Sequence, residues 1–118
     1  MEHSIVRIVL DVNKKSEALD ILRRLAVQTR RKAGCIRCDI YKSLEDNNSI
    51  LIEQLWRSRK DLYAHLRSND CKNLLFVFEM AQSEPIMEFH SIISSEGLEL
   101  VKKARNSSWA KNQDQLKI

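Results

Sequence analysis

Residues 35–56, CIRCDIYKSLEDNNSILIEQLW, decide the fold. Ile36, Cys38 and Ile40 alternate with Arg37, Asp39 and Tyr41, the period of two that marks a strand over residues 35–44. Glu45-Asp46-Asn47-Asn48 are turn formers. Residues 49–56, SILIEQLW, read as a further strand. Two strands joined so tightly pair as an antiparallel hairpin. A lone hairpin is marginal in water, so its neighbours must supply more strands and an apolar cover.

They do so on both sides. Upstream, residues 3–12 put Val6, Ile8, Leu10 and Val12 on one face and Ile5, Arg7, Val9 and Asp11 on the other, a first strand. Residues 15–32 change period. Ala18, Leu19, Ile21, Leu22, Leu25, Ala26 and Thr29 form a helical stripe, with Ser16 as N-cap and Gly34 as stop. Downstream, residues 58–81 are helical in two pieces. Ser58 caps the first, Ser68-Asn69-Asp70 recaps the chain, and Leu74, Leu75, Val77, Phe78 and Ala81 keep helical spacing in the second. Pro85 leads into a fourth strand, Ile86 to Ile93. Residues 94–105 read as an added helix capped by Ser94 or Ser95, and 106–118 as a polar tail around Trp109.

The order is β-α-β-β-α-β, so the expected class is α+β and ferredoxin-like: a four-stranded antiparallel sheet with helices on one face. Residues 1–93 make the domain and 94–118 a C-terminal helical extension and tail. The other sheet face is left bare, with Ile5, Arg7, Val9, Tyr41, Ile86, Glu88, His90 and Ile92 as its residues. That face is too apolar for plain solvent surface and too charged for plain core, which points to a partner or a ligand. Antiparallel sheets also tolerate one wet face.

Bulk properties narrow the classes. A chain of 118 residues fits one domain, and so small a domain buries a limited share of its surface. A second copy would help, so a homodimer through the open sheet face is expected. No apolar run approaches a membrane span. Met1-Glu2-His3-Ser4 opens into a strand pattern without a basic and apolar leader, so a cytoplasmic location is expected. The net charge of +4 gathers at Arg23, Arg24, Arg30, Arg31 and Lys32, with Glu17 and Asp20 before them. Acid early and base late complements a helix dipole, and no nucleic-acid motif accompanies the cluster. Neither a nucleic-acid nor a membrane partner is expected. Cys35 and Cys38 form C-x-x-C. In a regular strand residues three apart face opposite ways and cannot close a disulfide or a metal site without a bend, so no metal is expected.

Several motifs resemble the antibiotic biosynthesis monooxygenase family. Arg31-Lys32-Ala33-Gly34-Cys35-Ile36-Arg37 is similar to the run into its second strand, and Tyr41-Lys42-Ser43-Leu44-Glu45-Asp46 to its hairpin. Gln54-Leu55-Trp56-Arg57-Ser58 with Ala64-His65-Leu66 resembles its E-x-W-x-s … a-H-l pattern, and Ser83-Glu84-Pro85 the approach to its last strand. The resemblance spans about residues 4–93 and implies a dimeric α/β-barrel. It further implies oxidation of quinol-type or polyphenolic aromatics by dioxygen, with no metal, flavin or haem cofactor. Haem-cleaving, sugar-isomerising and inactive members are also implied.

His65 holds the family's histidine position and is the candidate base, taking a phenolic proton to leave an electron-rich anion. The plainer reading is a helix histidine bound to a backbone carbonyl or a dimer partner. Trp56 can wall a substrate cavity or simply pack in the core. Tyr41 and His90, both on the open face, can hydrogen-bond a flat oxygenated ligand or stand in solvent. Two departures count against catalysis: Gln54 replaces the family's glutamate, and Asp70 stands where a second histidine is common. Glu53 faces the other way and cannot replace it. The haem-cleaving pattern is not met, since residues 5–12 hold no asparagine and Leu75 stands at its histidine position. The expected activity is therefore a cofactor-independent monooxygenase. A non-catalytic ligand-binding or structural dimer is the alternative. A sugar-phosphate isomerase is another, and would need Arg7 and Arg37 to converge on phosphate.

Overall fold

A computed structural model describes residues 1–106. Its elements run β1 (Glu2–Val9), α1 (Lys15–Arg30), β2 (Cys35–Lys42), β3 (Ser49–Trp56), α2 (Arg59–Leu66), α3 (Asn69–Phe78), β4 (Ile86–Ser91) and α4 (Leu98–Asn106). The sheet order is β2-β3-β1-β4, with every neighbouring pair antiparallel. The expected α+β, ferredoxin-like βαββαβ fold is what forms, and the sheet stays open.

Alternation sets the two faces. Val6 and Ile8 of β1 and Ile50 and Ile52 of β3 are buried against Ala18, Leu22 and Leu25 of α1 and Leu74 and Val77 of α3. Full burial of each such aliphatic chain contributes about 1.5–3 kcal/mol before conformational entropy is counted. The opposite face is ordered in cross-sheet rows by the strand register. Arg37, Leu55, His3 and His90 form one row, Asp39, Glu53, Ile5 and Glu88 the next, and Tyr41, Leu51, Arg7 and Ile86 the third.

Element ends differ from the expected ones for local reasons. β1 stops at Val9, and Leu10 keeps only an isolated bridge to Ala81. The Asp11 side chain accepts from the Asn13 amide at 2.9 Å and turns the chain, leaving Val12 exposed. The residue at the start of α1 is Lys14, without a side-chain cap, rather than Ser16. β4 ends at Ser91, short of Ile93. Neither Ser94 nor Ser95 caps α4, which begins at Leu98; the Glu99 carboxylate takes the Gly97 amide instead, at 2.8 Å. Trp109 and the tail lie outside the described residues.

The strand carrying both cysteines needs a larger correction. Cys35 pairs with Trp56 and Arg37 with Leu55, so Ile36 is an extra, bulged residue, 47% exposed. The bulge shifts the phase by one. Cys35 and Cys38 therefore lie opposite Trp56 and Gln54 on the helix-covered face, not on opposite faces. Both thiols are free. Burial pushes Cys38 up to about 11, with Cys35 beside it as the second cause, and burial raises Cys35 as well. At neutral pH both are protonated and poor nucleophiles.

Candidate functional site

Trp56 ends β3 on the helix-covered face and is fully buried. Two residues on, Ser58 starts α2: its hydroxyl accepts from the Asp61 amide at 3.2 Å and donates to Asp61 Oδ2 at 2.9 Å. That fixes the phase of α2, whose inward side carries Leu62 and, one turn on, His65. The His65 ring stacks on Trp56 with centroids 4.8 Å apart and planes inclined by 29°. The sequence thus delivers the Trp56–His65 pair through a strand end and a capped helix.

The third partner arrives from elsewhere. Lys32 follows α1, in the turn that closes at Gly34. Its ammonium meets His65 Nδ1 at 2.9 Å, Ser68 Oγ at 2.9 Å and Asp70 Oδ2 at 2.8 Å. Three N–H donors meet three acceptors. Because an ammonium only donates, Nδ1 must accept, and the neutral ring carries its proton on Nε2. Burial, and next the Lys32 charge, push His65 down to about 4 against a smaller opposing pull from Asp70. On the other side of the indole, Trp56 Nε1 donates to Gln54 Oε1 at 3.1 Å, and Gln54 faces Cys38 across the strand pair. A continuous line of side chains results: Asp70, Lys32, His65, Trp56, Gln54, Cys38.

This arrangement clarifies the two departures from the family pattern. Gln54 orients the indole, which a carboxylate would also do but with a buried charge. Asp70 neutralises Lys32. Lys32 acts together with Ser68 and Asp70 although the former comes from the α1–β2 turn and the latter two from the start of α3. The sequence reads Ser68 as a helix restart, Asp70 as a departure from the family's second histidine and Lys32 as one of a basic cluster, and nothing local brings the three together.

The other two candidates lie apart. Tyr41 is on β2, one edge of the sheet, and His90 is on β4, the other edge. Their rows are four residues apart along β1, counted from Arg7 to His3. His90 Nε2 lies 3.1 Å from Glu88 Oε2, and its ring is 6.3 Å from that of His3. Neither joins Trp56 and His65, which face the helices. Glu53 is on the open face, 3.0 Å from His3 Nε2 and 3.3 Å from Arg37 Nε. Arg7 and Arg37 do not converge; their β3 partners, Leu51 and Leu55, are four residues apart. Among the described residues, no cluster of three or more His, Cys, Asp or Glu side chains could hold a metal ion.

The sheet order, the single helical layer and the strand-end indole against a helix imidazole define a ferredoxin-like α+β domain. The chain belongs to the antibiotic biosynthesis monooxygenase family, whose profile matches residues 3–75. Solved structures agree on the fold. A candidate antibiotic biosynthesis monooxygenase from Nitrosomonas europaea superposes with a TM-score of 0.72 at 19% identity, covering 80% of this chain and 100% of that one. Another, from Deinococcus radiodurans, gives 0.75 at 14%, covering 82% and 97%. Rv0793 from Mycobacterium tuberculosis gives 0.73 at 20%, covering 81% and 98%. No curated protein matches the chain. No helix among the described residues is long and apolar enough to cross a membrane.

Proposed function

We propose that the chain is a cofactor-independent monooxygenase of a quinol-type aromatic, working as a cytoplasmic homodimer. The observation that carries this reading is the Trp56–His65 stack held by Lys32 within a chain of this family. In the balanced reaction a quinol and dioxygen give a hydroxyquinone and water. One oxygen atom enters the ring, the other leaves as water, and the substrate supplies the electrons.

The geometry supports a donor rather than a base at His65. The Nε2–H can donate a hydrogen bond to a developing phenolate or peroxide oxygen. Taking up a second proton would place an imidazolium 2.9 Å from an ammonium. The quinol therefore reacts as an anion stabilised by Nε2–H, and solvent takes its proton. Trp56 is the flat wall behind the imidazole. Tyr41 and His90, on the open face, belong to the dimer contact or to its rim.

Oxygen uptake with a panel of naphthoquinols tests the assignment. The wild type is expected to consume oxygen, and His65→Ala to lose on the order of a hundredfold in rate. Equal rates in both would remove His65 from the mechanism. A second reading, a dimeric module without catalysis, draws on a specific observation: Trp56 is 0% and His65 3% exposed, so the pair is closed over by side chains. That reading requires no uptake with any quinol.

A further inference from the structure

A groove among the described residues lies apart from the Trp56–His65 pair. It runs between α1 and the edge strand β2, has a volume of about 630 Å³, and lies within the usual size of small-molecule pockets. Lys32, Trp56 and His65 take no part in lining it. Its floor is an extension of the core, with Leu19, Ala26, Ile40 and Ile50. Its rim carries three cations, Arg23, Arg30 and Lys42, against a single acid, Asp39.

The cations differ in how they are held. Arg30 is anchored: Nε donates to the Cys38 carbonyl at 2.8 Å, and Nη2 lies 3.6 Å from Asp39 Oδ1. Its Nη1 has no partner among the described residues. Arg23 is exposed and 3.2 Å from Asp20 Oδ1, a pairing that solvent keeps weak. Lys42 has no ion-pair partner among the described residues. An apolar trough with one anchored and two exposed cations at its lip matches a particular ligand chemistry. The floor accepts a flat or slender apolar body, and the rim pairs with one carboxylate through charge-assisted hydrogen bonds. A neutral ligand of the same shape would leave the cations unused.

We propose that the groove between α1 and β2 binds an amphipathic organic carboxylate, at a site separate from the Trp56–His65 pair. Calorimetric titration of the full chain with 2-naphthoate, and with neutral 2-naphthamide of the same shape, tests this. Naphthoate is expected to bind saturably, one per chain, and the amide at least about tenfold more weakly. The double substitution Arg23→Gln with Lys42→Gln is expected to weaken naphthoate by at least about tenfold, with the circular dichroism unchanged. Val27→Trp, at an exposed helix position lining the groove, is expected to fill it and abolish binding. Neither change should alter oxygen uptake with quinols, so this proposal and the His65 assignment can fail independently. Equal affinity for naphthoate and naphthamide would overturn the carboxylate assignment. Naphthoate binding insensitive to both groove changes would overturn the site itself.

Discussion

A buried histidine that cannot accept a proton leaves a mark on stability. His65 is held down to about 4, whereas an unfolded histidine titrates near 6.5. Below about pH 6.5 the unfolded chain binds a proton at this residue that the folded chain refuses. Stability should therefore fall as pH drops from about 6.5 to about 4, by up to about 3 kcal/mol from this group alone. Urea midpoints at pH 7.5, 6 and 4.5 measure the slope, and comparison with His65→Gln removes the carboxylates that titrate nearby. A wild type and variant with parallel pH profiles would contradict a folded-state histidine held neutral by burial and by Lys32. At this scale sequence reading reached part of the site. Trp56 and His65 follow from a strand end and a capped helix nine residues apart. The proton position on His65 does not, because the Lys32 ammonium from beyond α1 meets His65 of α2 and Ser68 and Asp70 of the α3 start only after folding.

Whole elements were more legible than their irregularities. Alternation in 3–12, as far as Leu10, and the helical stripe in 15–32 assign faces correctly, because burial on one side leaves a period in the residues. The bulge at Ile36 is invisible to that test: one added residue reverses the phase of Cys35 without changing composition. Gly34 is the element-scale feature that sequence and structure share. Its φ of +83° lets the chain turn from α1 into β2, and its carbonyl receives the Arg57 amide at 2.8 Å. A side chain there would also run into the Asp61 carboxylate. Gly34→Ala should destabilise the fold by about 1–3 kcal/mol, read as a lower urea midpoint with an unchanged slope. Adding Asp61→Ala removes the carboxylate but leaves its Cβ in the way and the backbone strain untouched, so the double variant should stay below Asp61→Ala alone. A Gly34→Ala midpoint equal to wild type would show that the turn does not need its left-handed residue.

The described residues are more extended than a compact domain requires. Their radius of gyration is 18.5 Å, against about 13 Å for a compact chain of this size. Every residue of α4 is exposed, and Ile93, Leu98 and Val101 offer apolar surface beyond the sheet. On the open face an acidic row, Asp39, Glu53 and Glu88, lies between rows that carry Arg37 and Arg7. A two-fold axis lying between the acidic row and the neighbouring row that carries Arg7 would set opposite charges against each other while Ile5, Leu51 and Leu55 lose water. Light scattering of the wild type should thus give about twice 13.8 kDa. Leu51→Glu is the discriminating change. In a single chain the new carboxylate stands directly across from Arg7 and faces solvent, so the fold is kept. In a dimer it is buried twice, once per chain, which should raise the dissociation constant at least about a hundredfold. A variant with native circular dichroism and half the mass would place the interface on this face. A variant that remains a dimer would move it elsewhere, and a monomeric wild type would leave the open face to solvent.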